Sequence, residues 1–498
     1  MSINSPVVPS RPYVFNKRNA LIFFAAIAVM LIIYLLPSPP SFYKGTEEIP
    51  LTFEGKAVFA VLVYAVILWL TEAIPFPITA LSMIIILHLM GVSTFTALVK
   101  TGLGSSVLFF LMGAMGLSAA ITVSGLANRI MLGVLSKVGT RTDRIVFTFM
   151  ALGTFLSMWV TDMAVAAMLL PLGVNILRQS GCKPLQSNFG RCMMIGIVYG
   201  ALIGGTATPA GCGANILAIS YLRELTNMDA SFLQWMIVGV PGALMMLPAG
   251  WFLLMKVFPP EIKNVPIDLE DVKRQHKELG PLTRQERNTT IVFFIAVTMW
   301  LGASLIKSLT GISIPEDFTA LFAFLLLFLP GLQVFGSWKE ANEHIDWSGL
   351  MLIAGGIAAG MLLAETGTAR YIAWGALNGI GALHPMLRVA AVLVLVEALK
   401  IFFSSNSVTG AVVIPLVIAL ALDLGMNPWI VAGPAGIATS MAFIMVTSSP
   451  TNVIPYSSGY FSIKDFAKCG VLMTVIGIVA VTLSVAIFGR FAGMNIWL

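Results

Sequence analysis

Two polar clusters interrupt long apolar stretches of this chain, and both hold residue types suited to binding an anion. Thr161-Asp162 lies within "SMWVTDMAVAAMLLPL" (157–172), and Ser405-Asn406-Ser407 lies within "IFFSSNSVTGAVVIPL" (401–416). Hydroxyl and amide groups offer neutral hydrogen bonds that water replaces as a ligand enters and leaves. Half-helices starting at these points would add free N–H groups and positive dipole ends. Two further segments carry matching polar groups. They are Gly205, Thr206, Thr208 and Pro209 in "GGTATPAGCGAN" (204–215), and Ser449, Pro450 and Asn452 in "TSSPTN" (447–452). Pro209 and Pro450 cannot donate to a helix ladder, so both segments read as unwound turns within helices. Asp162 does not fit a neutral site. A carboxylate at the centre of a membrane helix costs about 3 kcal/mol on insertion scales, so its presence needs a reason.

The composition says what surrounds these clusters. Of 498 residues, 58% are hydrophobic and only 10% charged, against about 25% charged in soluble domains. An all-α polytopic membrane protein is predicted. The formal charge of +6 requires no acidic partner or nucleic acid, because basic cytoplasmic loops orient membrane spans. Cys182, Cys192, Cys212 and Cys469 form no CxxC pair and read as free thiols without a zinc or redox role. His88, His276, His344 and His384 are scattered, and none has a metal-ligand neighbour.

Residues 1–19 form a polar segment with Arg11, Lys17 and Arg18, expected on the cytoplasmic side. The apolar run that follows has no small-residue cleavage site and reads as a first membrane helix. Spans of about 20 apolar residues are predicted near 20–37, 54–71, 76–92, 106–127, 192–222, 232–255, 290–308, 317–333, 349–378, 429–460 and 469–489. Two more apolar segments, 145–177 and 389–421, are too long and are broken by the polar clusters. Arg129, Lys137, Arg141 and Arg144 precede the first, and Arg178, Lys183 and Arg191 follow it. A single crossing would leave one basic flank outside. A re-entrant hairpin with Thr161-Asp162 at its tip removes that conflict, because irregular backbone is tolerated at depth where it is buried or lines a cavity.

The segment 256–290 carries seven Lys and Arg residues and is predicted to be a solvated cytoplasmic linker with an amphipathic helix. It divides the chain into halves, 20–255 and 291–498, and these repeat. Pro171 aligns with Pro415, which sets Thr161-Asp162-Met163 on Ser405-Asn406-Ser407; "GLANRI" (125–130) matches "GTARYI" (367–372). Eleven spans and two hairpins give the halves opposite crossing directions, with the N-terminus cytoplasmic and the C-terminus extracytoplasmic. Inverted repeats with helices broken at mid-membrane are the pattern of secondary transporters. An enzyme is disfavoured, since the chain has no HExxH and no GxGD segment, and a channel needs rings of pore-lining groups.

With these motifs the sequence resembles the divalent-anion:sodium symporter family of dicarboxylate, citrate and sulfate transporters. "ILWLTEAIPFPITAL" (67–81) is similar to its early signature, "SSNS" to its second Ser-Asn-Thr tip, and "SSPTN" with "GYFSIKDFAKCG" (459–470) to its last broken helix. The resemblance spans nearly the whole chain. It implies a homodimer in a cell (plasma or inner) membrane, and a transport domain moving as an elevator against a scaffold. It also implies that the tips and unwound segments bind substrate carboxylates, and in symporters sodium.

Departures from the family pattern bear on coupling. Asp162 and Met163 replace the first tip's Asn and Thr. Ile401 stands where the resemblance implies a sodium-ligating threonine, and Lys400 precedes it, with Glu397 one helical turn earlier. On one reading Lys400 supplies the charge that sodium otherwise brings, giving sodium-independent exchange of C4 and C5 dicarboxylates such as succinate, malate, fumarate and 2-oxoglutarate. On the other, Lys400 pairs with Glu397 and snorkels outward. A sodium site formed by Ser157, Thr161, Asp162 and Asn406 is the alternative, within a sodium-coupled symporter of dicarboxylate, citrate or sulfate. No cofactor is expected beyond that sodium.

Overall fold

A computed structural model describes residues 17–266, 269–377 and 383–495. Helix dominates, because in lipid each backbone polar group must be satisfied within its own segment. Eight helical stretches among the described residues are long and apolar enough to cross a membrane, including Lys17–Leu35, Phe53–Thr71, Phe95–Val123, Phe232–Val257 and Trp347–Glu365. Other predicted spans are built from shorter pieces. The one near 76–92 is Phe76–Leu89, and the one near 317–333 is Glu316–Leu326 followed by turns. The only strands among the described residues, which the all-helical reading did not foresee, are Phe42–Lys44 and Glu47–Ile49, a small antiparallel hairpin.

The two halves repeat element by element. Gly125 (φ +84°) and Gly367 (φ +72°) are both left-handed turns, introducing the short helices Leu126–Leu135 and Thr368–Leu377. Thr142–Ser157 and Asp162–Gln179 form the first hairpin, and Pro385–Lys400 and Asn406–Asp423 the second. Pro171 and Pro415 sit inside the second arm of each. A broken helix follows each hairpin, then a 26-residue helix, Phe232–Val257 or Ile463–Phe488.

Both ends of the first hairpin and the Asp423 end of the second are fastened by other segments. Thr142 N donates to Lys263 O at 3.1 Å and Val265 N to Thr140 O at 2.8 Å. At the exit, Phe189 N donates to Glu261 at 2.9 Å, Ser187 Oγ bonds the other oxygen of that carboxylate, and Asn188 Nδ2 reaches Pro259 O at 3.1 Å. Both ends of the first hairpin are therefore held by 259–265. The linker is no free tether; it straps the hairpin's base. It is also clamped by Arg129, which bonds Gly280 O at 2.8 Å and pairs with Glu286 at 2.8 Å. At the second hairpin, Asp423 is held by Arg370 at 2.6 Å and Lys44 at 3.3 Å, and Arg370 also bonds Glu47.

The broken helices run between these two ends. Asn188–Ala207 starts beside the first hairpin's base, and its continuation Gly213–Thr226 ends beside Glu365, Arg370 and Asp423, around a shared cavity of about 570 Å³. Trp429–Ser440 starts near the second base, and past its continuation Tyr460 bonds Cys182 O near the first, at 3.4 Å. The hairpins thus enter from opposite ends and their tips meet in the interior. Close packing makes this meeting exact enough to form a site. A Cβ on Gly204 would lie 2.2 Å from Thr154 O and one on Gly200 2.5 Å from Met150 O, so only glycine lets the broken helix touch the hairpin backbone.

Candidate functional site

Each broken helix unwinds in the same way. Thr208 is extended, Pro209–Gly211 makes one 3-10 turn, Cys212 is extended, and Gly213 starts the next helix. In the other half Met445, Val446–Ser448, Ser449 and Pro450 follow the same sequence of conformations. That register pairs Asn215 with Asn452, and both do the same work. Asn215 Nδ2 donates to Gly205 O (2.7 Å) and Thr208 O (2.8 Å); Asn452 Nδ2 donates to Ala442 O (2.7 Å) and Met445 O (3.0 Å). Each amide replaces hydrogen bonds that the helix loses where it unwinds. Gly239 and Gly470, matched in the following helices, let those helices press on the same turns; a Cβ would lie 2.6 Å from Ala207 O and 2.0 Å from Phe443 O respectively.

A cavity of about 320 Å³ lies between the tips and the turns. Thr161, Asp162, Ser405, Asn406, Ser407, Ser449 and Pro450, all singled out in the sequence, line it. Helix Ser106–Val123 closes one side with Met115, Ser118 and Thr122, and His344 and Asp346 stand at the edge. Other predicted residues stand behind the lining. Thr206 bonds Ile203 O in its own helix at 2.7 Å, and Thr208 bonds Met158 O at 2.5 Å, fixing the first tip loop. Asn452 is fully buried on its turn, and Pro209 lines a smaller cavity beside Phe110 and Phe232. Gly205 backs the cluster: a Cβ on it would lie 3.9 Å from both Asp162 Cβ and Ser157 Oγ.

The tips themselves begin helices. Ser405 caps Asn406–Asp423 through Val408 N, and Thr161 N donates to Ser118 Oγ at 3.3 Å. Asn406 Nδ2 reaches Cys212 Sγ at 3.6 Å, joining the second tip to the first turn. Asp162 Oδ1 accepts Met163 N at 2.8 Å, and the Thr451 hydroxyl faces the same carboxylate. Sequence reasoning missed Asn215, Cys212, Thr451 and Ser118. The Pro171–Pro415 spacing is not kept as far as the unwound segments, so it does not pair Asn215 with Asn452; that match emerges only from the common backbone of the two turns. Ser118 lies on a distant span, and nothing in the sequence ties it to a tip.

Lys400 is 2% exposed, and its ammonium donates to Ser448 O at 2.8 Å while Ser448 Oγ donates to Lys400 O at 3.1 Å. It does not snorkel. No ion pair within 4 Å joins it to Glu397 or Asp162 among the described residues, and Glu397 Oε1 is buried without a hydrogen-bond partner. The ammonium sits on the second unwound turn. The residue matching Ser448 in the first half is Gly211, where a Cβ would lie 2.8 Å from Gly205 O and 2.9 Å from Ser157 O. Ser157 Oγ is fully buried there with no partner, whereas Ile401, at the matching position, is 39% exposed and brings no side-chain oxygen.

A family model described as the sodium:sulfate symporter transmembrane region matches residues 17–494. The chain belongs to that family. It is a family of transporters, so the cavity is that of a transport protein. Relatives include the sodium-dependent dicarboxylate transporter SdcS of Staphylococcus saprophyticus, 28% identical over 459 residues, covering 87% of this chain and 86% of the relative. The protein of the same name from Staphylococcus aureus is 27% identical over 451 residues, with the same coverage. Among solved structures, the YdaH transporter of Alcanivorax borkumensis matches with a TM-score of 0.58 at 13% identity, covering 96% of this chain and 98% of that one. MtrF of Neisseria gonorrhoeae, described with a class of antimetabolite efflux pumps, matches at 0.56 and 14% identity, covering 96% of each. At these identities the two structures speak to the fold alone.

Proposed function

We propose that the protein is a secondary active transporter of C4 and C5 dicarboxylates that exchanges one dicarboxylate for another without sodium. The substrate class is supported by the relatives' names and by a cavity whose second half supplies hydroxyl, amide and helix N-terminal donors. The observation that carries the exchange reading is Lys400, whose buried ammonium rests on the Ser448 carbonyl beside Ile401. A tethered cation cannot leave with the substrate. An empty carrier keeps that charge in a low-dielectric barrier, whereas a loaded one is nearer neutrality, so the loaded form crosses more readily. On this reading the hairpins and broken helices form an elevator-type transport domain within a homodimer, and the basic base of the first hairpin faces the cytoplasm. Reagent labelling of single cysteines at positions 140 and 181 from the cytoplasmic side only is the expected topology.

A second reading is sodium symport. It is favoured by Ser157 Oγ, buried and unpartnered near Asp162 and Gly205, where oxygen groups suit a hard cation, and by the sodium dependence in the relatives' names. Uptake into proteoliposomes separates the two. Exchange gives uptake only into vesicles preloaded with dicarboxylate and no response to sodium. Uptake into empty vesicles driven by a sodium gradient overturns exchange in favour of symport.

A further inference from the structure

The wall of the cavity differs from one half to the other, position by position. The register of the hairpins pairs Met163 with Ser407, and the register of the unwound turns pairs Cys212 with Ser449 and Ala214 with Thr451. The second half thus carries three hydroxyls where the first carries a thioether, a thiol and a methyl group. One carboxylate of a substrate therefore finds its donors in the second half. At the first tip the corresponding charged group is Asp162, which lines the cavity. An ionised carboxylate only accepts hydrogen bonds.

Asp162 is not used up by the fold. One of its oxygens accepts the Met163 N–H at 2.8 Å and the Thr451 hydroxyl faces it. Lys400, the buried cation of this region, gives an N–H to Ser448 O and makes no ion pair within 4 Å with Asp162 among the described residues. An acceptor with capacity to spare is left facing the substrate's other end. A plain dicarboxylate would set its second carboxylate against this like charge, which is repulsive at contact range. A donor group there, and a cationic one above all, turns the repulsion into a charge-assisted hydrogen bond.

We infer that Asp162 is a specificity-determining residue that selects C4 dicarboxylates bearing a hydrogen-bond donor beside one carboxylate. A 2-ammonium group is preferred to a 2-hydroxyl, and both to an unsubstituted chain. The inference rests on the dicarboxylate reading and narrows it, placing malate ahead of succinate and adding aspartate in front of both.

The test uses the full-length protein with aspartate, malate and succinate, which share one chain length. Binding is read by thermal stabilisation in detergent and transport by competition in preloaded proteoliposomes. Wild type is expected to bind aspartate at least about tenfold more tightly than succinate, with malate between them. Asp162→Asn removes the donor preference and brings the three acids within about threefold of one another, while Asp162→Glu keeps the order. Asp162→Ser serves as a second neutral variant if Asp162→Asn does not fold. Wild type binding succinate as tightly as aspartate overturns the inference while leaving dicarboxylate transport standing. A neutral variant that keeps the order but loses a sodium response also overturns it, making Asp162 a sodium ligand. Folded wild type that binds none of the three acids removes the dicarboxylate reading and this inference together.

Discussion

The two hairpin tips share one plan and differ in chemistry. Both start an 18-residue helix with proline at the same place, and both face a turn held by an asparagine. Yet the first half is sealed backbone to backbone around Gly211 and carries a carboxylate, whereas the second opens at Ser448 to admit an ammonium. The scaffold of the repeat is thus separable from the charges mounted on it. Glycine and asparagine keep the shape, and the residues at the tips set what the shape binds and what travels with it.

Removing the second half's charge should have the largest effect. Lys400→Met is expected to lower exchange at least about a hundredfold, because it removes the ammonium from Ser448 O and leaves Glu397 with no nearby cation. Adding Ile401→Thr to that variant makes the second half more like a sodium site. A sodium response in preloaded proteoliposomes that wild type lacks would sharpen the comparison. Unchanged exchange in Lys400→Met would break it.

The asparagines test whether the halves are equal in structure. Asn215→Ala and Asn452→Ala each leave two buried carbonyls without a donor, a loss of about 2–4 kcal/mol. Asn215→Ala is expected to be worse by about 1 kcal/mol, since Ser440 Oγ also donates to Asn215 Oδ1 at 3.2 Å, whereas Asn452 Oδ1 is buried without a partner. Thermal midpoints in detergent would show the order. A smaller effect comes from the second tip, where Asn406→Ala should weaken substrate binding about tenfold to a hundredfold with folding intact. Calorimetric titration reading an unchanged affinity would remove Asn406 from the site.

The least effect is expected at the hairpin bases. Burial opposes ionisation of Glu261, but hydrogen bonds from the Ser187 hydroxyl and the Phe189 N–H prevail and hold its carboxyl below the ordinary 4.5. A depressed carboxyl adds stability above its unfolded value, and that stability is lost as pH falls through the folded one. Wild type should therefore lose thermal midpoint relative to Glu261→Gln as pH drops below about 4.5. Parallel curves would mean that the strap does not depend on that charge.

Much of this was legible in the sequence because it depends on local pattern. Apolar length marks the spans, a polar cluster within an overlong apolar run marks a tip, and Pro209 and Pro450 mark the turns. The register of Pro171 and Pro415 was enough to pair the tips. The β-hairpin at 42–49 was not legible, since two three-residue strands carry too little alternation to stand out. The linker's role was hidden for a different reason. Its bonds to 140–142 and 187–189 join residues far apart in sequence, and a charged segment looks solvated until its partners are located.

The sequence by itself determined the membrane class, the two-fold repeat and the types of side chain at each tip, because hydropathy, proline spacing and residue identity are properties of neighbours along the chain. Only the tertiary structure decided which polar groups face the cavity and which serve the backbone. Thr208 and Asn452 are as polar as Ser407 and Thr451, but Thr208 holds the Met158 carbonyl of the first tip loop and Asn452 satisfies carbonyls left free by its unwound turn. The fate of Lys400 was decided there too: snorkelling and burial on a carbonyl are equally open to a lysine on a helix. The choice came from a turn some fifty residues onward, whose Ser448 carbonyl, freed by the broken helix, lies within 2.8 Å of the ammonium.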